Sequence, residues 1–263
     1  MDAYNKKIYY MESSKIGIII QARMGSTRLP GKILMRFYGE DSLLETLLKK
    51  LHKIGDAKVI VATSVNENND ELEVFLKEKG YLVYRGSEND VLDRFIKAAE
   101  SNGIEGIVRI CSDNPFMDWQ GVARLVEKAK SSDADYIGYR VNDTPSILTH
   151  FGFWGEFVTL EALKRVAITT PVESPAHEHV TFYVYNHPNE YKCEWIQCPD
   201  FLQGRDDIRL TIDTAEDLLN AQQVYKNLKE INRDFTLQDV IQYLDSHKEI
   251  KDSMMSSISK NKK

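Results

Sequence analysis

The chain has 263 residues, enough to bury a core without disulfide or metal staples. Charged residues make up 28% and apolar ones 42%, which excludes wholesale disorder, a collagen-like fibre and a membrane bundle. A net charge of −6 argues against a general nucleic-acid binder, and three cysteines (Cys111, Cys193, Cys198) are too few for a secreted disulfide scaffold.

Residues 1–15 carry no cleavage-site pattern, and the apolar run at 16–20 is far too short for a signal segment or a membrane span. A cytoplasmic location with no membrane contact is therefore expected. Residues 16–20 read as a buried strand. Residues 41–54 read as a helix, because Leu43, Leu44, Leu47, Leu48 and Leu51 recur at helical spacing and Ser42 with Glu45 matches a capping box. A strand at 58–62 follows, then a helix at 69–79 stopped by Gly80. A strand at 81–84, a helix at 90–101, a strand at 106–111, a helix at 118–131 and a strand at 134–139 complete the run. Apolar strands alternating with amphipathic helices give βαβ units and a mostly parallel sheet covered on both faces.

The rhythm changes over 140–200, which is rich in aromatics, Pro and His. A helix is expected near 155–166, another near 174–185, and a half-exposed strand at 191–197. Residues 207–212 return to the strand pattern, and helices are expected at 214–227 and 236–247. The sum is a single domain over 15–247, with 1–14 and 248–263 as flexible ends.

Ligands of open α/β sheets bind outside the carboxyl ends of the strands. Residues 21–32 (QARMGSTRLPGK) follow the first strand, Thr63-Ser64 the second and Arg85-Gly86-Ser87-Glu88 the third. Ser112-Asp113-Asn114-Pro115 follow the fourth, and Asp213-Thr214 the late one. Between residues 16 and 36 stand Arg23, Arg28, Lys32 and Arg36 with no acid, and Gly25 and Gly31 free the backbone to turn its N–H groups towards a ligand. Forked guanidinium donors and a lysine point charge suit a polyphosphate; the other reading is a solvated basic loop. The loop is no Walker A motif, since Lys32 is followed by Ile33. Asp113 and Asp213, each after an apolar segment, suit Mg²⁺ shared with substrate phosphates. Asp213 reads equally as a helix N-cap.

Cys193 and Cys198 with His179 or His187 have spacing too loose for zinc. Trp154, Phe182, Tyr183 and Tyr185 read as core or subunit interface. No Ser/His/Asp nucleophile arrangement, Gly-x-Ser-x-Gly or Gly-x-Gly-x-x-Gly stands out.

The segment IIIQARMGSTRLPGK (18–32) resembles the signature of the cytidylyltransferases that make CMP-activated sugar acids, the CMP-octulosonate and CMP-acylneuraminate synthetases. The resemblance is strongest to the branch named after spore coat polysaccharide biosynthesis protein F. VATS (61–64), RGSENDVL (85–92), RICSDNPF (109–116), EHVT (178–181) and LTIDTAEDL (210–218) extend it in order over about residues 16–220. It implies a three-layer α/β sandwich of the nucleotide-diphospho-sugar transferase type, with 140–200 serving the acceptor and a homodimer. It implies transfer of CMP from CTP to a sugar acid or sugar-phosphate-like acceptor, with pyrophosphate release, for surface or coat polysaccharide synthesis.

Carried over by position, Arg23 and Lys32 would hold the triphosphate and act in catalysis, beside Gln21, Gly25, Ser26, Arg28 and Ser112. The Ala22 backbone and Thr63 or Ser64 would lie near the cytosine and ribose. Asp113 and Asp213 would hold Mg²⁺. Arg85 and Glu88 would line the nucleotide or sugar pocket, and Asn114, Glu156 and His179 would face the acceptor. Two departures fall on the acceptor side: His177 stands where the branch has Arg, and Gly152-Phe153-Trp154-Gly155-Glu156 replaces Gly-Leu-Asp-Val-Glu. The same residues also fit a nucleotidyltransferase using another NTP with a sugar or polyol phosphate, or a non-catalytic nucleotide-binding homologue. A glycosyltransferase would want Asp-x-Asp, and Ser112-Asp113-Asn114 lacks the second acid.

Overall fold

The computed structural model describes residues 15–55 and 57–260. Its main sheet runs in the order β10-β7-β9-β6-β1-β4-β5, with β8 paired to β7. The strands are β1 (Ile16–Gln21), β4 (Lys58–Ser64), β5 (Leu82–Gly86), β6 (Gly106–Cys111), β7 (Tyr136–Val141), β8 (Thr144–Pro145), β9 (Glu156–Thr159) and β10 (Cys193–Gln197). The pairs β1–β4, β1–β6, β4–β5 and β7–β10 are parallel. Strand β9 runs antiparallel between β6 and β7. A separate hairpin joins β2 (Arg36–Tyr38) to β3 (Asp41–Ser42) around Gly39, whose φ is 59°.

Side chains alternate across a strand, and the alternation assigns the two cores. Ile16, Ile18 and Ile20 of β1 enter one cluster, and Ile19 enters the other. In β4, Val59 and Val61 face the first and Ile60 and Ala62 the second. The first face is covered by α1 (Leu43–Leu51), α2 (Asp70–Glu78), α4 (Trp119–Lys130), α8 (Ala215–Ile231), α9 (Leu237–Asp245) and α10 (Lys248–Lys260). The second is covered by α3 (Val91–Ser101), α5 (Leu160–Thr169), α6 (Pro175–Glu178) and α7 (Phe182–Asn186). This is the expected three-layer α/β sandwich. Among the described residues no helix is long and apolar enough to cross a membrane.

Four sequence expectations are corrected. The helix expected near 155–166 begins as strand β9, because Phe157 and Val158 are both buried in the sheet; Thr159 then caps α5 by accepting from the Ala162 N–H. The region 174–185 holds two short helices, not one. Residues 207–212 form no strand: the Leu210 N–H donates to the His150 carbonyl and the Ile212 N–H to the Asp113 carbonyl, so the segment stitches two loops together. The tail from Lys248, expected to fray, forms α10 with Ile250 and Met254 buried in the first core; the flexible end expected at 1–14 lies outside the described residues. The expected capping box at α1 is half made. Ser42 accepts from the Glu45 N–H, but the Glu45 carboxylate turns to Lys79 at 3.0 Å.

Candidate active site

The loop after β1 is folded back on itself. The N–H groups of Ser26 and Gly31 both donate to the Met24 carbonyl, and the Met24 N–H donates to Asn69 Oδ1, each at 2.9 Å. Asn69 is 1% exposed and its amide also donates to Ser64 Oγ at 2.8 Å, so it ties the β1 loop to the end of β4. Gly31 takes a left-handed φ of 69° and starts a 3₁₀ turn, Lys32–Leu34, that directs Lys32 inward.

The Lys32 ammonium lies 3.2 Å from Asp113 Oδ2 and 3.6 Å from Asp213 Oδ1, and it donates to the Ile212 carbonyl. Two carboxylates 100 positions apart thus share one cation at the sheet edge. Arg28 reaches Asp213 Oδ1 at 3.0 Å. Behind them, Arg209 places NH2 2.9 Å from Asp213 Oδ2 and Nε 2.7 Å from Asp217 Oδ1, and donates from NH1 to His150 Nδ1. Burial pushes the Asp213 carboxyl up, but Lys32, then Arg28 and Arg209, outweigh it and hold it below its ordinary range. Asp213 is not the helix cap. Thr214 caps α8 in a reciprocal box with Asp217, which leaves Asp213 to the cleft.

Gln21, Arg23, Ser26, Arg28, Lys32, Ser112, Asp113 and Asp213 line one cleft of about 270 Å³. An adjoining cleft shares Arg28, Asp113 and Asp213 and adds Asn114, Thr149, Gly152 and Thr211. Asn114 Oδ1 and Thr211 Oγ1 are buried there without a hydrogen-bond partner in the protein. A buried polar atom left unpaired costs free energy that a ligand can restore.

Other expected site residues fall outside both clefts. Thr63 is fully buried. Ser64 Oγ donates to Glu88 Oε2 at 3.3 Å. Arg85 is paired with two residues of α2, Glu73 at 2.6 Å and Asp70 at 2.7 Å. The Ala22 N–H is engaged with the Ala62 carbonyl, and Gly25 is exposed beside Asn68. Glu156 is 1% exposed, and its oxygens accept from Arg109 NH1 at 2.8 Å, Tyr136 OH at 2.6 Å and Thr181 Oγ1 at 2.9 Å. It knots β6, β7 and β9 together instead of facing a cleft. His179 is exposed and packs near Phe182. His177 lies buried with Nδ1 2.9 Å from Asp90 Oδ1, so this departure joins α6 to the cap of α3. Among the described residues no group of three or more His, Cys, Asp and Glu side chains is placed to hold a metal ion.

A cytidylyltransferase family model matches residues 17–252. The chain belongs to the cytidylyltransferase family. It is similar to spore coat polysaccharide biosynthesis protein SpsF of Bacillus subtilis, at 36% identity over 81% of this chain and 87% of that protein. A cytidylyltransferase structure from Leptospira borgpetersenii superposes with a TM-score of 0.77, at 30% identity over 90% of this chain and 96% of that one. A CMP:2-keto-3-deoxy-manno-octonic acid synthetase complexed with CTP shares the fold, with a TM-score of 0.61 at 13% identity, over 81% of this chain and 99% of that one. The chain is accordingly a nucleotidyltransferase of this family.

Sequence reasoning missed Asn69, Thr211 and Arg209. Arg209 and Thr211 stand two residues apart in the segment read as a strand, and the pattern gave no sign that one pairs with Asp213 and the other lines the adjoining cleft.

Proposed function

We propose that the chain transfers CMP from CTP to a sugar-acid or sugar-phosphate-like acceptor and releases pyrophosphate, in polysaccharide biosynthesis and in the cytoplasm. The observation that carries this reading is the Lys32 ammonium shared by Asp113 and Asp213 beside the basic β1 loop. An acceptor oxygen attacks the α-phosphorus, the bond to the β-phosphate oxygen breaks, and pyrophosphate leaves. Such chemistry runs on positioning and charge stabilisation, so it calls for cations more than for a nucleophilic side chain.

Arg23, Arg28 and Lys32 would neutralise the triphosphate, and Gln21, Ser26 and Ser112 would hydrogen-bond it. Asp113 and Asp213 offer a hard oxygen donor set that already attracts one cation, and this fits Mg²⁺. Bound there, Mg²⁺ would supply charge stabilisation at the reacting phosphate. The unpaired Asn114 Oδ1 and Thr211 Oγ1 would take acceptor groups in the adjoining cleft. Exposed Ile168, Val172 and Phe182, all within 140–200, favour a homodimer through this region.

The test is turnover of Asp113→Asn and Asp213→Asn with CTP and Mg²⁺. Each should abolish turnover while the fold survives. Wild-type rates in either variant would remove that residue from the metal role.

A further inference from the structure

A second cavity, of about 510 Å³, lies away from the cleft, between the C-terminal end of α1, the start of α4 and the α8–α9 corner. Its walls carry Phe116, Trp119, Tyr225 and Phe235, and none of its lining residues lines the nucleotide or acceptor cleft. Lys50 and Lys229 approach the same two rings here. Lys50 Nζ is 5.0 Å from the Tyr225 centroid and 5.2 Å from that of Phe235; Lys229 Nζ is 5.7 and 5.4 Å from them.

The carboxylates of the cavity are each paired with another side chain. Asp41 pairs with Lys49 at 2.6 Å, Asp234 with Lys53 at 3.4 Å, and Asp118 accepts from Trp154 Nε1 and Arg124. Lys50 and Lys229 instead donate to backbone carbonyls, Pro115 at 2.6 Å and Arg233 at 2.5 Å. Two ammonium groups gathered on one aromatic wall, hydrogen-bonded to carbonyl oxygens and with Asp118 and Asp234 only as more distant charges, repel each other, and an anion between them relieves that repulsion. Burial, and after it the charges of Lys229 and Lys53, lower Lys50 to about 7 against the opposing pull of Asp118.

We propose that this cavity is a separate binding site for a small organic phosphomonoester, whose phosphate bridges Lys50 and Lys229 while its carbon skeleton lies on Phe116, Tyr225 and Phe235. An aromatic wall beside paired ammonium groups suits a phosphate carried on an organic frame better than a bare ion. The site also touches the chemistry, because Lys50 grips the carbonyl of Pro115, the residue after Asp113-Asn114. This proposal does not depend on the identity of the nucleotide or the acceptor.

The test is calorimetric titration of the full chain, first saturated with CTP and Mg²⁺ to cover the cleft, using inorganic phosphate and D-glucose 6-phosphate as probes. One equivalent of D-glucose 6-phosphate should bind more tightly than phosphate, and Lys229→Gln should weaken it at least tenfold while leaving the CTP Kd unchanged. Equal affinity for the two probes would retain an anion site but overturn the organic phosphomonoester. No saturable binding to the CTP-loaded protein, or undiminished binding in a folded Lys229→Gln variant, would overturn the site altogether.

Discussion

Arg209 holds Asp213 from behind, with its NH2 2.9 Å from Asp213 Oδ2 and its Nε 2.7 Å from Asp217 Oδ1. One buried guanidinium therefore joins a cleft carboxylate to the capping box of α8. Breaking a buried pair by removing one partner costs about 3–5 kcal/mol, because the other charge is left unpaired. Arg209→Leu should lower the urea midpoint by a comparable stability loss at unchanged m. An unchanged midpoint would mean that the clamp carries no stability.

The same clamp gives the protein an acid limb. Burial pushes the Asp217 carboxyl up, but the hydrogen bonds and charge of Arg209 overcome it and hold the group below its ordinary range, as also happens at Asp213. A carboxyl held low in the folded state adds stability above its unfolded pKa of about 3.9, and that stability is lost as pH falls through the folded value. Stability should drop steeply below about pH 4. Asp217→Asn should flatten that slope in urea titrations run at several pH values; an identical slope would contradict the assignment.

Glu156 and His179, both expected to face the acceptor, should separate cleanly. Glu156→Gln unbalances Arg109 and loses acceptor capacity towards Tyr136 and Thr181, at a cost of about 3 kcal/mol or more. His179→Ala, at an exposed position, should stay within about 0.5 kcal/mol of wild type. Thermal melts compare the two. A Glu156→Gln protein as stable as wild type would return that carboxylate to the list of acceptor ligands.

Gly152 has a φ of 67°, and a Cβ placed there would lie 2.6 Å from Asn114 Oδ1 and 3.1 Å from Thr211 Cγ2. Gly152→Ala strains the backbone and displaces both lining residues of the adjoining cleft. The acceptor KM should rise while the CTP KM holds. Equal rises in both would deny the cleft its acceptor role.

The alternating strands and helices were legible because β1, β4 and β6 are buried on both faces and read as nearly continuous apolar runs. The β1 loop was legible because its cations stand without acids. What escaped depends on contacts distant in sequence. The residues of β9 read as helix because a four-residue antiparallel strand leading straight into a helix leaves a faint period-two signal. Residues 207–212 alternate like a strand, yet their N–H groups answer His150 and Asp113 rather than a neighbouring strand. Asn69 looked like a helix start and proved to be the brace of the β1 loop, through a hydrogen bond spanning 45 positions. Arg85 and Glu156 have the chemistry of site residues, but the partners that occupy them come from other elements.

The central claim is that the basic loop and the two aspartates serve cytidylyl transfer. Pyrophosphate release measured with CTP, UTP, ATP and GTP in turn, with Mg²⁺ and a panel of sugar acids and sugar phosphates, tests it most directly. The account predicts release with CTP well above the other three, abolished in Asp113→Asn. Equal release from all four nucleotides, or release that survives Asp113→Asn, would contradict it.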